Sequence, residues 1–282
     1  MRVTIFGATG MLGRALVRQW TEDEITATGS AQADIRDPDQ ANRVVEQSRP
    51  GWIVLCAAYT DVDGCELNPA LARNVNSYGA VNVAKAAAAA SARLLFVSTD
   101  YVFDGGASHP YQIDHPRKPI NEYGKSKAEA EKKLLEILPD CCIVRTSWLY
   151  GPHGKCFPDT ILKAAASRPE LEVVNDQRGC PTYTLDLADA IIQLCRVNAT
   201  GIVHCTNSGD CTWYEFACEI VRQAGLTASV RPTTSDKYVR AAQRPAYSVL
   251  ASDSLRQYRI QMRPWRQALA QYLSERQAAA AP

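Results

Sequence analysis

The feature that most limits what this chain can fold into is a rhythm. Short runs that are apolar at every position alternate with helical segments through the first 150 residues. Val3 to Phe6 stops at Gly7, and Leu12, Leu16 and Val17 then recur at helical spacing up to Trp20, so the opening reads as strand, glycine turn, helix. Ile25 to Thr28 reads as a second strand, and Pro38 to Ser48 as a helix with Pro38 in its first turn and Val44 and Val45 facing inward. Trp52 to Ala58 is a continuous apolar strand. An Ala-rich helical stretch follows from Pro69 to Ala92, then a strand at Leu94 to Ser98, a polar loop from Asp104 to Pro119, a helix starting near Tyr123 and a strand at Ile143 to Thr146. Strands without polar alternation must be covered on both faces, and strands separated by helices run parallel. The expected fold is therefore α/β, a doubly wound parallel sheet of Rossmann type.

After Gly151 the rhythm changes to loops carrying Pro152, Pro158, Pro169 and Pro181, with helical patterns near 160–166, 185–197, 213–224 and 264–274. The expectation is a sheet domain over 1–150 that also takes up part of 183–200, and a smaller α/β C-terminal domain over 151–282 interwoven with it. The Ala-rich tail from Ala278 to Pro282 reads as frayed.

Composition removes several function classes. Thirty-one Lys and Arg against thirty Asp and Glu leave a net charge of +1, so no excess draws the chain to nucleic acid or to an anionic membrane. No apolar run reaches the roughly 18 residues that a membrane helix needs. MRVTIFGATG enters a strand and a glycine turn without a signal-peptide layout, which points to the cytoplasm. The ten cysteines include no Cys-x-x-Cys pair and no zinc-type histidine spacing; several, such as Cys56 and Cys195, sit in apolar runs as small core residues. No metal site is expected. His109, His115, His153 and His204 have no paired acid at telling spacing and read as surface or packing residues.

Gly7, Gly10 and Gly13 in GATGMLG lie between the first strand and the first helix. In that context glycines let backbone N–H groups approach a pyrophosphate at a helix N-terminus. An NAD-preferring fold places an acid about 20 residues further on, against the ribose hydroxyls. Here Gly29 and Ser30 stand at that place, while Asp34 comes late and is followed by Ile35, suited to flanking an adenine. The reading favours NADPH, with NADH as the alternative, and Arg14 or Arg36 as the charge for a 2′-phosphate.

Tyr123 and Lys127 are four apart, one helical turn on the same face. An ammonium held near a phenol lowers the phenol's pKa and can also hold a ribose. Ser98, Thr99 and Asp100 end the strand LLFVSTD, and parallel sheets bind ligands just beyond such carboxyl ends. Glycine turn, strand-end Ser-Thr and Tyr-x-x-x-Lys follow one another in the order and spacing of a short-chain dehydrogenase/reductase.

Along most of its length the sequence resembles a narrower group, the dTDP-4-dehydrorhamnose reductases of the extended short-chain reductases. The resemblance rests on GATGMLG, CAAYTDVDGCE with NVNSYGAVNVAKAA, STDYVFDG, NEYGKSKAEAE, RTSWLYG, NDQRGCPTYT, and RPAYSVL with MRPW. STDYVFDG and NDQRGCPT are the most specific. Related dehydratases carry a glutamate where this chain has Tyr101, which disfavours dehydration.

The resemblance implies reduction of the 4-keto group of dTDP-4-dehydro-L-rhamnose to dTDP-L-rhamnose, with Thr99, Tyr123 and Lys127 catalytic and a substrate-binding role for the C-terminal domain. It further implies that Gly7, Gly10, Met11, Leu12, Gly13, Asp34, Ile35, Ala57, Ala58, Tyr59, Tyr123 and Lys127 line the cofactor. Thr60, Val62, Asp63, Thr99, Asp100, Tyr101, Tyr123, Trp148 and Arg244 would face the sugar nucleotide, Arg244 at its diphosphate. Trp148 reads equally as core, and Asn175 and Asp176 read as loop caps. Arg14 and Ala15 stand where some relatives place a metal-binding glutamate, and Gly64 stands where lysine is common, so neither feature is carried over. The chain would be a monomer or a homodimer. Two alternatives stand beside this reading: a reductase of another 4-keto-6-deoxy sugar nucleotide, and a non-catalytic dinucleotide-binding subunit of the kind that regulates methionine adenosyltransferase. The retained Thr99, Tyr123 and Lys127 are unnecessary for the latter.

Overall fold

The computed structural model describes residues 1–280. In chain order it contains β1 (Arg2–Phe6), α1 (Met11–Gln19), β2 (Glu24–Thr28), α2 (Pro38–Ser48), β3 (Trp52–Leu55), α3 (Val62–Leu67) and α4 (Pro69–Arg73). A π-helical stretch, Asn74–Gly79, runs into α5 (Ala80–Ala89), followed by β4 (Arg93–Thr99), a 3-10 turn at Asp100–Val102, α6 (Glu122–Ile137) and β5 (Cys142–Thr146). The rest comprises β6 (Leu149–Tyr150), α7 (Phe157–Ser167), β7 (Glu170–Val174), β8 (Arg178–Gly179), β9 (Thr182–Tyr183), α8 (Thr184–Arg196), β10 (Gly201–His204), β11 (Cys211–Thr212), α9 (Trp213–Gln223), β12 (Ser229–Thr233), α10 (Asp253–Arg256) and α11 (Trp265–Ala280). Of the expected frayed tail, Ala278 to Ala280 extend α11, while residues 281 and 282 lie outside the described part.

Six strands form one sheet in the order β10-β5-β4-β3-β1-β2, and every pair in it is parallel. The alternation of strand side chains divides the interior in two. Val3, Ile5, Val54, Leu95 and Val144 enter one apolar cluster with α1 and α8, while Phe6, Ile53, Leu55, Leu94, Phe96 and Ile143 enter the other with α2, α5 and α6. This double burial is why the strands lack polar alternation. β1 has β2 on one side and β3 on the other, so the chain leaves it in opposite directions and a crevice opens where the order reverses.

Three small two-stranded sheets (β7 with β12, β8 with β11, β6 with β9) carry the second layer beside the carboxyl ends of the large one. The expected strand Trp52 to Ala58 ends at Leu55, because the N–H groups of Cys56 and Ala57 both donate to the Phe6 carbonyl and draw the chain toward the crevice. The expected helical stretch from Pro69 is interrupted by the π turn. There Asn76 is buried, accepting from the Tyr59 N–H (2.7 Å) and donating to Ser126 Oγ (3.0 Å). Such turns cluster at functional sites.

Candidate active site

The carboxyl ends of β1, β3, β4 and β5 bound a cleft of about 430 Å³. Its floor at β1 is the glycine turn. Gly7 has φ +88, and a Cβ on it would lie 2.5 Å from the Ala57 N; one on Gly13 would lie 2.2 Å from the Gly7 carbonyl oxygen. Those two glycines are demanded by the fold itself. Gly10 differs: a Cβ there would meet only the Gly7 oxygen, at 3.4 Å, so its missing side chain leaves an open cradle. Gly10 is also the N-cap of α1, with no capping side chain and no acid in the first turn. An uncapped helix start facing an open cradle suits a pyrophosphate.

Met11, Leu12, Gly13, Ala58, Thr60 and Val62 also line this cleft, as does Cys56, which the sequence reading did not select. Ala57 supports Gly7 through its backbone, and Tyr59 is fixed by Asn76. Asp34 and Ile35 lie outside the cleft. Asp34 pairs with Arg36, the shortest contact 2.5 Å, and the guanidinium's hydrogen bonds hold its carboxyl below the usual range. Ile35 is core, 5% exposed. With Arg36 thus engaged, Arg14 and Arg18 are the arginines that line a separate pocket of about 400 Å³ at the end of β2, together with Gln32, Gly29 and His153. Arg18, one helical turn beyond Arg14, was legible as an i, i+4 repeat of charge but was not selected.

Thr99, Tyr123 and Lys127 meet in the cleft. Thr99 Oγ1 donates to Asp100 Oδ1 (3.0 Å) and accepts from the Tyr101 N–H (3.2 Å). Asn121 caps α6 by accepting from the Gly124 N–H (2.8 Å), and Gly124 packs so closely on the Tyr101 carbonyl that a Cβ would lie 2.1 Å from it. That contact seats Tyr123 with its ring edge-on to Tyr101, centroids 5.9 Å apart. Burial raises the Tyr123 phenol above its ordinary pKa, with the Thr99 hydroxyl opposing. Burial also pushes Asp100 up to about 7, opposed by Ser248 and Thr99.

Lys127 is 2% exposed; its Nζ donates to the Val97 carbonyl (2.7 Å) and lies 3.9 Å from the Phe96 ring centre. Burial lowers it to about 7, against the pull of Glu131. The Lys127 Nζ is directed to the β4 carbonyl, and at Tyr123 burial raises the phenol where the sequence predicts a lowered one.

Trp148, also lining the cleft, takes the left-handed backbone conformation, φ 47, and stacks on Trp213 at 3.5 Å and 5°. A Cβ on Gly179 would lie 2.5 Å from the Trp148 ring, which explains the glycine of NDQRG. Trp213 was not found from sequence, since it opens α9 far along the chain. Beyond Tyr101 and Trp213 lies a further pocket of about 330 Å³ with Gln177, Ser235, Tyr238, Arg240 and Arg244. Asp63 and Arg244 do not face it separately. They pair bidentately, both contacts 2.9 Å, and Asp63 also accepts from the Ala242 N–H (3.0 Å). The Arg244 hydrogen bonds hold the Asp63 carboxyl down at about 2. Asn175 accepts from Thr212 Oγ1 and Asp176 from the Ser235 N–H and hydroxyl, so both fasten loops.

Among the described residues no group of three or more His, Cys, Asp or Glu side chains is arranged to hold a metal ion, and no helix is long and apolar enough to cross a membrane.

The family model described as the RmlD substrate binding domain matches residues 1–278. The chain is 42% identical to a dTDP-4-dehydrorhamnose reductase of Streptomyces griseus over 280 residues, 96% of this chain and 92% of that one. It is 41% identical over 288 residues to a probable dTDP-4,6-dihydroxy-2-methyloxan-3-one 4-ketoreductase of Streptomyces antibioticus, covering 100% and 98%. The crystal structure of dTDP-4-dehydrorhamnose reductase from Bacillus anthracis str. Ames in complex with NADP superposes with a TM-score of 0.95 at 39% identity, over 97% of this chain and 99% of that one.

Proposed function

The chain belongs to the dTDP-4-dehydrorhamnose reductase family, and from that premise we propose that it uses NADPH to reduce the 4-keto group of dTDP-4-dehydro-L-rhamnose to dTDP-L-rhamnose. The observation that carries the reading is the meeting of Thr99, Tyr123 and Lys127 in the cleft that opens at the uncapped start of α1.

The cradle at Gly10 and the N–H groups of α1 would hold the pyrophosphate of the cofactor, and Arg14 a 2′-phosphate. NADPH, when bound, supplies the hydride. Lys127 has one protein acceptor for its three N–H donors, which leaves others for ribose hydroxyls. Tyr123, held protonated by burial, is the acid that gives its proton to the ketone oxygen as negative charge develops there. Thr99 Oγ1, once its single O–H turns from Asp100 to the ketone, would orient the same oxygen. The stacked Trp148 and Trp213 form an apolar wall for the sugar ring, and the pocket of Arg240 and Arg244 would take the diphosphate once it displaces Asp63 from Arg244. NADH is the alternative cofactor, with Arg14 favouring the phosphorylated one.

A second substrate is favoured by one observation: the Streptomyces antibioticus relative is named for a different 4-ketosugar. Reactants of this kind fit an enzyme of the cytoplasm, and the reading holds for a monomer or a homodimer. We assign cofactor binding to the large sheet with its helices, including α8 and β10, and substrate binding to the small sheets with α7 and α9.

The test follows loss of NADPH absorbance with purified protein and the 4-keto sugar nucleotide, then repeats it with Tyr123→Phe. Turnover in the wild type, at least about 100-fold lower in the variant while calorimetry finds NADPH binding unchanged, is the expected result. Full turnover by Tyr123→Phe sinks the mechanism. Failure of the wild type on this sugar alone, with turnover of another 4-keto-6-deoxy sugar nucleotide, replaces the substrate.

A further inference from the structure

Tyr123, Lys127 and Glu131 follow one another at intervals of four on α6, and the mechanism above uses only the first two. Glu131 is wholly buried, yet its carboxylate accepts four hydrogen bonds. It accepts from Ser98 Oγ of β4 (2.6 Å), from Arg145 Nε and Nη2 of β5 (3.0 and 2.8 Å), and from Arg117 Nη1 of the preceding loop (3.1 Å). Arg145 is itself 1% exposed and also donates to the Ile113 carbonyl (3.0 Å). A buried carboxylate with this many donors has one position and one charge. It is attached to the two elements that carry the reacting groups: Ser98 directly precedes Thr99, and Lys127 lies one helical turn before Glu131.

We infer that Glu131 is a positioning residue for the reduction: its clamped carboxylate holds Lys127 as an ammonium in the cleft and fixes the end of β4 that presents Thr99. The inference rests on the proposed reductase function. Lys127 is buried among groups that do little to keep it charged. Just past the end of β3 stands the Cys56 thiol, which burial pushes up to about 12 and keeps neutral. From β4 it has the Val97 carbonyl. On its own helix Tyr123 is a neutral phenol. Behind Glu131, Arg145 and Arg117 are both committed to that carboxylate, and His204 on β10, pushed down to about 3 by burial, is neutral beside Arg145. Asp100, which burial raises to about 7, is not a fixed anion. Glu131 is thus the one fixed anion that favours the charged lysine. Burial works against its charge, but the hydrogen bonds and charges of Arg145, Ser98 and Arg117 together hold the carboxyl below its ordinary value.

The sign follows directly. Reduction uses the ammonium, so activity falls as pH rises through the Lys127 pKa, and loss of Glu131 moves that fall to lower pH. With Glu131→Gln, the alkaline limb of kcat is expected to shift down by about one unit or more, and kcat at pH 8 to drop about tenfold with KM for the sugar nucleotide little changed. NADPH affinity measured by calorimetry should weaken along the same shifted limb. Removing one partner of a buried ion pair can prevent folding. The double variant Glu131→Gln with Arg145→Met removes both charges, and it should fold and show the same downward shift. Glu131→Asp restores the charge and should bring the limb back toward the wild type. A folded Glu131→Gln or double variant whose kcat profile and NADPH pH dependence coincide with the wild type overturns the inference. If the wild type fails to turn over the sugar, the reductase reading fails, while the pH dependence of NADPH binding still reports on Glu131 and Lys127.

Discussion

Glycines that look equivalent in the sequence do different jobs, and the difference predicts how each responds to one methyl group. At Gly7 the added Cβ meets main chain at 2.5 Å and the backbone is left-handed. Gly7→Ala should therefore cost about 2 kcal/mol or more, read as a lower midpoint of thermal denaturation in the free protein. Gly10→Ala should leave that midpoint within about 1 °C, since only the Gly7 oxygen lies near, at 3.4 Å, but it fills the cradle and should weaken NADPH binding about tenfold or more in calorimetry. Equal effects of the two substitutions on stability would refute this division of labour. The same logic runs through the titrating side chains. Tyr123 and Lys127 are conspicuous in the sequence by spacing, whereas their protonation is set by burial that spacing does not encode.

The elements are held by short-range devices with distinct strengths. α9, which opens with Trp213, begins on a capping box: Thr212 Oγ1 accepts from the Glu215 N–H (3.1 Å), and Glu215 accepts from the Thr212 N–H (2.8 Å). Thr212 also donates to Asn175 (2.7 Å), tying the loop of the NDQRG motif to the same helix. Thr212→Ala removes the cap and that tie, so a loss of about 1 to 2 kcal/mol is expected by chemical denaturation. A loss below about 0.5 kcal/mol would show that the helix start is fixed by packing alone. The helix patterns near 185–197 and 213–224 were legible from apolar spacing. β10 was not: turn residues flank it (Asn198 ahead and Gly201 at its start, Asn207 to Asp210 behind), but its four residues are too few for a pattern, and they become a strand because the open edge of β5 offers unpaired main-chain groups to them.

Across the whole molecule, elements far apart in the chain are joined by ion pairs. Asp186 of α8 pairs with Arg263 ahead of α11 (2.7 Å), and Asp63 of α3 pairs with Arg244 and contacts Arg240 (3.5 Å). Asp63 therefore spans the mouth of the cleft. Asp63→Ala should speed hydrogen exchange of the 238–244 amides in the free protein without altering exchange in β1 and β4. Unchanged exchange there would mean that the segment is held by other contacts. The pH dependence has a defined sign. The Asp63 carboxyl is held at about 2, below its ordinary value, so the tie is complete above about pH 4 and is lost as pH falls toward 2. The protection factors of the same segment, exchange rates taken relative to the unstructured chain at each pH, should fall over that acid range in the wild type and stay flat in the variant.

By itself the sequence determined the doubly wound parallel sheet, the dinucleotide-type glycine turn, and the Thr99, Tyr123 and Lys127 set, because each is written in local terms: unbroken apolar runs, glycines at a strand end, two side chains one helical turn apart. What the tertiary structure decided is which long-range partners those residues meet. It paired Asp34 with Arg36, placed Arg14 at a pocket of its own, tied Arg244 to Asp63, stacked Trp148 on Trp213 and enclosed Glu131 beside Lys127. Charge pairing and burial are properties of distance in space, and a spacing rule along the chain reaches only as far as one strand or one helix.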